Sequence, residues 1–376
     1  MHDIPPERWL HQLNQRYPNL WAGMRKYYND PQKYLLPVYR DHLRDIPSWC
    51  PMPGIFPEIY LAHKYGDDTF AQHRGMAESL QTMYLWRAGK GVYRFAPELY
   101  DALVAQPLKG DLPNEVLFRL PEWAVYIETP GMVYDHTEIY GFIGHLDYNI
   151  FTRQPHLQFA IFERGSIEPK MTGFPLGNGG VAEGYERSLA EVQKLYGDQI
   201  VKKHSKADSY IPIIESMVQL LLYLCSEEPD IPEIEHPDKR RTFSGGVRAP
   251  AEPQAWNVGI RIGAALRKAA ASSVASPTAT TVDSLSESPD NPSSDDHGIE
   301  QPGRARPRAH IRSAHWTTYW TGPRSGKQTP ILRWIPPLPI NMNWKDPMPA
   351  VVHAVATAPI PLPSSKTSLM TTEKEE

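Results

Sequence analysis

The sequence predicts an α+β fold with a helical N-terminal part, a short antiparallel β-meander, a central buried helix, and a disordered acidic linker and tail. Three observations predict it. Apolar residues in the first hundred positions recur at three- and four-residue spacings, the period of a helix packed on one side. Short β-branched and aromatic runs then follow between positions 123 and 162, bounded by Pro, Gly, Asp and Asn. Finally, residues 213–225 are apolar nearly all round, the mark of a helix inside a core.

In order along the chain, Trp9, Leu10, Leu13, Tyr17, Leu20, Trp21, Met24 and Tyr28 hold helical spacing, and Pro18 divides them into two short helices. Thr69 to Arg87 predicts a longer helix, with Gly89-Lys90-Gly91 as its stop. This mainly helical region spans 1–110. Composition shifts at Leu112-Pro113, and an α+β core spans 111–268. Within it Trp123–Glu128, Glu138–Ile143 and Leu157–Phe162 predict the strands, and Val181–Tyr196 a helix stopped by Gly197.

The central helix is capped by Asp208-Ser209 and takes Pro212 in its first turn. It ends in Ser226-Glu-Glu-Pro-Asp-Ile231, carboxylates where the helix dipole disfavours them. They are either solvated surface or a pocket for a cationic or N–H-rich partner. Trp256 to Lys268 reads as a strand running into a helix.

Residues 269–303 contain Asp283, Glu287, Asp290, Asp295, Asp296 and Glu300 without one Lys or Arg, among Ser, Thr, Pro and Ala. Such a segment cannot bury enough apolar surface to offset its ordering entropy, which predicts a disordered linker. The block 304–345 opposes it in sign. Arg304, Arg306, Arg308, Arg312, Arg324 and Lys327 lie there with His310, His315, Trp316, Tyr319 and Trp320, and no acid falls between Arg304 and Lys327. The linker is placed to fold back over these cations as a screen. Ile331–Ile335 reads as a last strand on the core, and 346–376 as a disordered tail.

A net charge of -4 means that attraction to a polyanion must come from a local patch. Cys50 and Cys225 are the two cysteines, Cys225 inside an apolar run, which suits a reduced intracellular protein. Met1 to Arg8 lacks the apolar core of a signal peptide, and the longest apolar run, Met217–Cys225, is too short to span a bilayer. The expectation is a soluble cytoplasmic protein.

Catalytic signatures are few. His310 and His315 lack the two further ligands of a zinc site. Near arginines the pair would suit acid–base cleavage of RNA, but nothing in the sequence fixes their geometry. Gly173–Gly180 lacks the Lys-Ser/Thr of a phosphate loop and reads as a turn. His145 and Asp147 on one strand offer a base and its orienter, against the alternative of a hydrogen-bonded structural histidine.

Four segments, in this order, resemble the type V-A anti-CRISPR family called AcrVA-two: Leu120–Glu128, Leu222–Ile231, Arg308–Gly322 and Arg333-Trp334. The resemblance covers roughly Tyr34 to Asn341. It departs from the family pattern at Thr317, where the family has a histidine, and at Ala124, where it has a cysteine. Family members are carried by phages and plasmids. They lower production of the type V-A CRISPR effector nuclease by recognising the N-terminal segment of the nascent effector and bringing about loss of its messenger.

The resemblance therefore implies a non-enzymatic inhibitor in the bacterial cytoplasm, needing no cofactor, metal, membrane or small-molecule substrate. Its partner would be the N-terminal peptide of the effector, with ribosome or RNA as further partners. The residues assigned to partner binding are Trp123, Tyr126, Arg308, His310, Arg312, His315, Trp316, Tyr319, Trp320, Arg333 and Trp334. An open strand edge in the Trp123–Phe162 meander, aromatic pockets, or both would hold the peptide. Two other classes stay open: direct RNA binding or cleavage through the Arg304–Trp320 block, and an adaptor of a mobile element unrelated to defence.

Overall fold

The computed structural model describes residues 4–30, 33, 42–66, 70–108, 111–112, 114–196, 207–227, 229–231, 250–274, 310–312, 315–323, 326, 328–335 and 338–340. The chain divides into two compact units. The first comprises residues 1–271 and 312–338; the second, residues 272–311 and 339–376, contains few described residues.

The first unit is built on a mixed sheet. Its strands are β1 (Gly91–Phe95), β2 (Ala124–Glu128), β3 (Val133–Tyr134), β4 (Thr137–Asn149), β5 (Gln154–Glu163), β6 (Lys170–Pro175) and β7 (Gln254–Val258). They run in the order β6-β5-β4-β2-β1-β7, with β3 paired to β4. From β2 to β6 neighbours are antiparallel, the meander that the apolar runs predict. On the other side β1 lies parallel to both β2 and β7.

Both faces are covered, so strand side chains alternate between two cores. Val125 and Ile127 of β2 face one core with Phe142 and Phe159, against α8 (Ala207–Leu224) and α5 (Pro97–Val104). Ala124 and Tyr126 face the other, with Ile143, Ala160 and Phe162. That second core is roofed by α1 (Pro5–Arg16), α2 (Leu20–Asn29), α3 (Ile55–Tyr65) and α4 (Phe70–Trp86). Among the described residues there are also short α6 (Asn114–Leu117), α7 (Val181–Tyr196), whose Tyr185 packs on Phe174 of β6, and α9 (Ile260–Val274).

Strand β1 occupies the position where the sequence reads a helix stop. Gly89-Lys90-Gly91 does end α4, but the chain then enters the sheet at once. The turn is built around a buried carboxylate. Glu122 accepts the Gly91 amide at 3.2 Å and the Tyr93 hydroxyl at 2.9 Å, and a Cβ at position 89 or 91 would strike it. Lys90, at φ +51, reaches Glu7 of α1 at 2.7 Å.

Helix α8 begins at Ala207, so Asp208 and Ser209 lie in its first turn and Pro212 sits within the helix. Ile214, Met217, Val218, Leu220, Leu221 and Leu222 are buried, as the all-round apolar pattern predicts, and Cys50 and Cys225 are both buried free thiols. Helix α9 runs to Val274, six residues into the span read as linker. The rest of that linker, with its carboxylates, and the tail 346–376 lie outside the described residues. No helix among the described residues is long and apolar enough to cross a membrane.

Candidate functional site

The aromatic block forms strand β9 (His315–Thr321), paired antiparallel with β10 (Thr329–Ile335) as a two-stranded ribbon. Register places Trp316 opposite Trp334 and Trp320 opposite Pro330. With a two-residue repeat, Trp316, Thr318 and Trp320 share one face with Pro330 and Trp334, and Thr317, Tyr319 and Arg333 share the other.

One end of this ribbon is fixed on Tyr223 of α8. The Tyr223 ring lies edge-to-face against Trp316 at 6.5 Å, Trp334 at 6.4 Å and Phe95 at 5.7 Å. Rings at these separations and angles join quadrupole attraction to their area burial. Arg119 donates to the Pro330 carbonyl at 3.1 Å, and Arg333 pairs with Glu227 at 3.6 Å. The indole N–H groups of Trp316 and Trp334 are shielded from water and meet no acceptor.

Beyond this anchor the ribbon leaves the core. Tyr319 is 48% exposed and Trp320 62% exposed, on opposite faces of β9. Trp320 is the most exposed large apolar side chain among the described residues.

The acidic helix end resolves into two intramolecular pairings. Glu227 meets Arg333, and the nearly buried Asp230 caps α9 from thirty residues away. Asp230 accepts the amides of Arg261 and Ile262 at 2.7 and 3.2 Å, besides the Arg261 Nε. Burial pushes the Asp230 carboxyl up, but the Arg261 hydrogen bond and the two amides outweigh it and hold the group below the usual aspartate range. Its own N–H donates to the Tyr223 hydroxyl at 3.1 Å. Burial pushes that phenol up to about 12. The N–H-rich partner of this segment is thus α9 itself.

The other assigned residues are dispersed. Tyr126 lies in the core at 1% exposure, packed edge-on to Phe162, because the alternation of β2 turns it under the N-terminal helices. Trp334 is likewise buried, and Trp123 packs against the N-terminal core. His315 is half-buried. His310 and Arg312 lie on β8 (His310–Arg312), which pairs with β11 (Leu338–Ile340), but their side chains, and all of Arg304, Arg306 and Arg308, are outside the described residues.

The long strands of the meander between Trp123 and Phe162 offer no open edge. Strand β2 is flanked by β1 and β4, β4 by β2 and β5, and β5 by β4 and β6, so the expected docking edge between Trp123 and Phe162 is already filled. Open edges are left to the outer strands and to the ribbon.

His145 and Asp147 point into the N-terminal core without forming a base and orienter pair. His145 hydrogen-bonds Thr82 at 2.8 Å, and burial lowers its pKa to about 4. Asp147 instead accepts from Gln81, from the Gly54 amide at 3.2 Å and from the Cys50 thiol at 3.8 Å; burial raises both Asp147 and Cys50. Both groups hold the Cys50–Gly54 turn and α4 to β4. Of Gly173–Gly180, which the sequence reads as a turn, Gly173–Pro175 belong to β6 and residues 176–180 form the turn into α7, with the Gly180 amide bound by Glu183 at 2.8 Å. Among the described residues no three His, Cys, Asp or Glu side chains gather as a metal site.

Comparison with known proteins converges on one family. The chain is 22% identical over 303 residues to Protein FinQ of Escherichia coli, which covers 74% of this chain and 80% of that protein. A crystal structure of AcrVA2 superposes with a TM-score of 0.54 at 21% identity, covering 88% of this chain and 97% of that one, a likeness of fold. Residues 93–342 match the AcrVA2-like family, described as the anti-CRISPR type V subtype A2 family. The match includes Tyr223, Asp230 and the whole ribbon, and it extends over more than half of the sequence. The chain therefore belongs to the anti-CRISPR type V subtype A2 family, and its role is that of an anti-CRISPR protein.

Proposed function

We propose that the protein represses a type V-A CRISPR effector by binding the N-terminal segment of the nascent effector polypeptide and bringing about loss of its messenger. Binding, rather than chemistry of its own, is the protein's contribution, and it acts in the bacterial cytoplasm, where translation exposes that segment. The observation that carries this reading is the ribbon end, where Tyr319 and Trp320 project from a rigidly anchored base.

Aromatic anchors of this kind dominate peptide recognition, because they bury much area at little cost in side-chain entropy. Strands β9 and β10 pair, among the described residues, only with each other, so the ribbon retains edges to which an extended peptide adds as a further strand. The unpartnered indole N–H groups of Trp316 and Trp334 would donate to backbone carbonyls if the ribbon shifted on binding.

The test is repression of a type V-A effector in cells producing the wild-type chain or the Tyr319→Ala/Trp320→Ala variant. We expect the variant to accumulate normally while effector protein and messenger return to their unrepressed levels. Full repression by the variant would remove the ribbon from the mechanism.

A further inference from the structure

The N-terminal helical layer contains a pair of arginines that the ribbon and its function leave unused. Trp21 and Arg25 are one turn apart on α2 and therefore neighbours on its surface. The Arg87 guanidinium, just past the end of α4, lies 5.1 Å from the Trp21 ring centre and 5.6 Å from that of Tyr84. The Trp21 indole is itself held by Asn14 at 2.6 Å. Trp21 thus seats the Arg87 guanidinium one helical turn from Arg25.

Neither has a carboxylate among the described residues. Arg94, Arg164, Arg261, Arg267 and Arg333 each meet one, at Glu128, Glu138, Asp230, Glu98 and Glu227. By contrast, the Nε of Arg25 is buried with no acceptor. Burial holds the Arg87 guanidinium below the ordinary arginine range, and the Arg25 charge pushes it the same way. The C-terminus of α4 offers Arg87 a partial negative charge, but Arg25 gains nothing from it. Two half-buried like charges, one with an orphaned donor, are complementary to an anion.

We infer that Arg25 and Arg87 bind a backbone phosphate of single-stranded RNA. A fork of N–H donors matches phosphate oxygens, and a guanidinium laid on an indole has a second plane on which a base can stack. Single-stranded RNA supplies both, whereas a phosphopeptide supplies only the phosphate. Arg25 and Arg87 both precede residues 93–342, over which the chain matches the family.

The experiment measures binding of the full chain to a fluorescein-labelled RNA of about 16 nucleotides, the upper site size of a single-strand-binding module, across a salt series. Arg25→Gln/Arg87→Gln is expected to weaken binding at least tenfold and to flatten the slope of log affinity against log salt by about 0.7, one phosphate contact's worth on a single strand. Arg267→Gln, which removes the same charge elsewhere, is expected to change neither. A melting curve checks that the double variant is folded. If it is not, Arg25→Lys/Arg87→Lys decides, expected to bind several-fold more weakly at an unchanged salt slope. Wild-type protein that ignores RNA at low salt overturns the inference, as do variants that bind like wild type. Binding of inorganic phosphate or a phosphoserine peptide without RNA overturns it too.

Discussion

The Tyr223 hydroxyl accepts the backbone N–H of Asp230 at 3.1 Å, and this one contact joins the aromatic anchor of the ribbon to the cap of α9. Tyr223→Phe retains the rings' packing but leaves that buried N–H unpaired, at an expected cost of about 1–3 kcal/mol. Tyr223→Ala also removes the surface on which Trp316 and Trp334 rest and is expected to cost about 3–5 kcal/mol. Urea unfolding midpoints of the two variants separate the hydrogen bond from the packing.

Asp230 stands in for a side-chain N-cap that Gly259, at φ +75, cannot supply. Asp230→Ala is expected to cost about 1–2 kcal/mol, the usual worth of such a cap. The ion pair to Arg261 adds little, because that side chain is 83% exposed and screened by solvent. A carboxyl held below its unfolded pKa of about 3.9 contributes fully above that pH, and its contribution fades as pH falls through the lower folded value. Stability of wild type and Asp230→Ala should therefore converge at the acid end, as unfolding titrations would show.

His145 has the same direction of pH dependence at a higher pH. The unfolded imidazole takes a proton near pH 6.5, whereas the buried one stays neutral down to about 4. The unfolded state thus binds more protons between these values, and stability falls as pH drops across them, by an expected total of order 3 kcal/mol. His145→Gln, which retains a polar partner for Thr82, should lose most of this slope in denaturant titrations from pH 7 to 4, whatever its absolute stability.

Within the ribbon, structure and recognition separate by residue. Trp334→Ala removes a buried side chain and is expected to destabilise by about 3–5 kcal/mol. Trp320→Ala removes an exposed one, and its effect on stability should stay within about 0.5 kcal/mol. Repression is nevertheless expected to fail in both, with normal protein levels only in Trp320→Ala. Immunoblots of inhibitor and effector from the same cells read both quantities.

Much of the architecture was legible because burial is written in periodicity. The pattern of Trp9, Leu13, Leu20 and Met24 gave two helices broken near Pro18, and Ile214 to Leu222 gave the central helix. What escaped depends on contacts distant in sequence. Gly91–Phe95 is five residues long, lies beside a glycine turn and becomes a strand only because β2 and β7 flank it. Strand β9 was masked by its neighbours, since the arginines before and after it drew attention to charge rather than to the Trp316–Trp334 pairing.

At the site, Trp320 and Tyr319 were recognisable as aromatic, but only the ribbon's anchoring shows that they are the exposed ones. Tyr126 was misplaced at a surface because the sequence does not show that both faces of β2 are covered. The Arg25 and Arg87 pair had no signal at all, lying sixty-two positions apart, one on α2 and the other just past the end of α4.

The central claim is that the protein reads a peptide. The most direct measurement fuses the effector's first codons to a reporter and compares synonymous recoding with a compensated frameshift in cells carrying the wild-type protein. Repression of the recoded reporter and escape of the frameshifted one are the expected result. Repression that follows the nucleotide sequence and ignores the encoded peptide would contradict it.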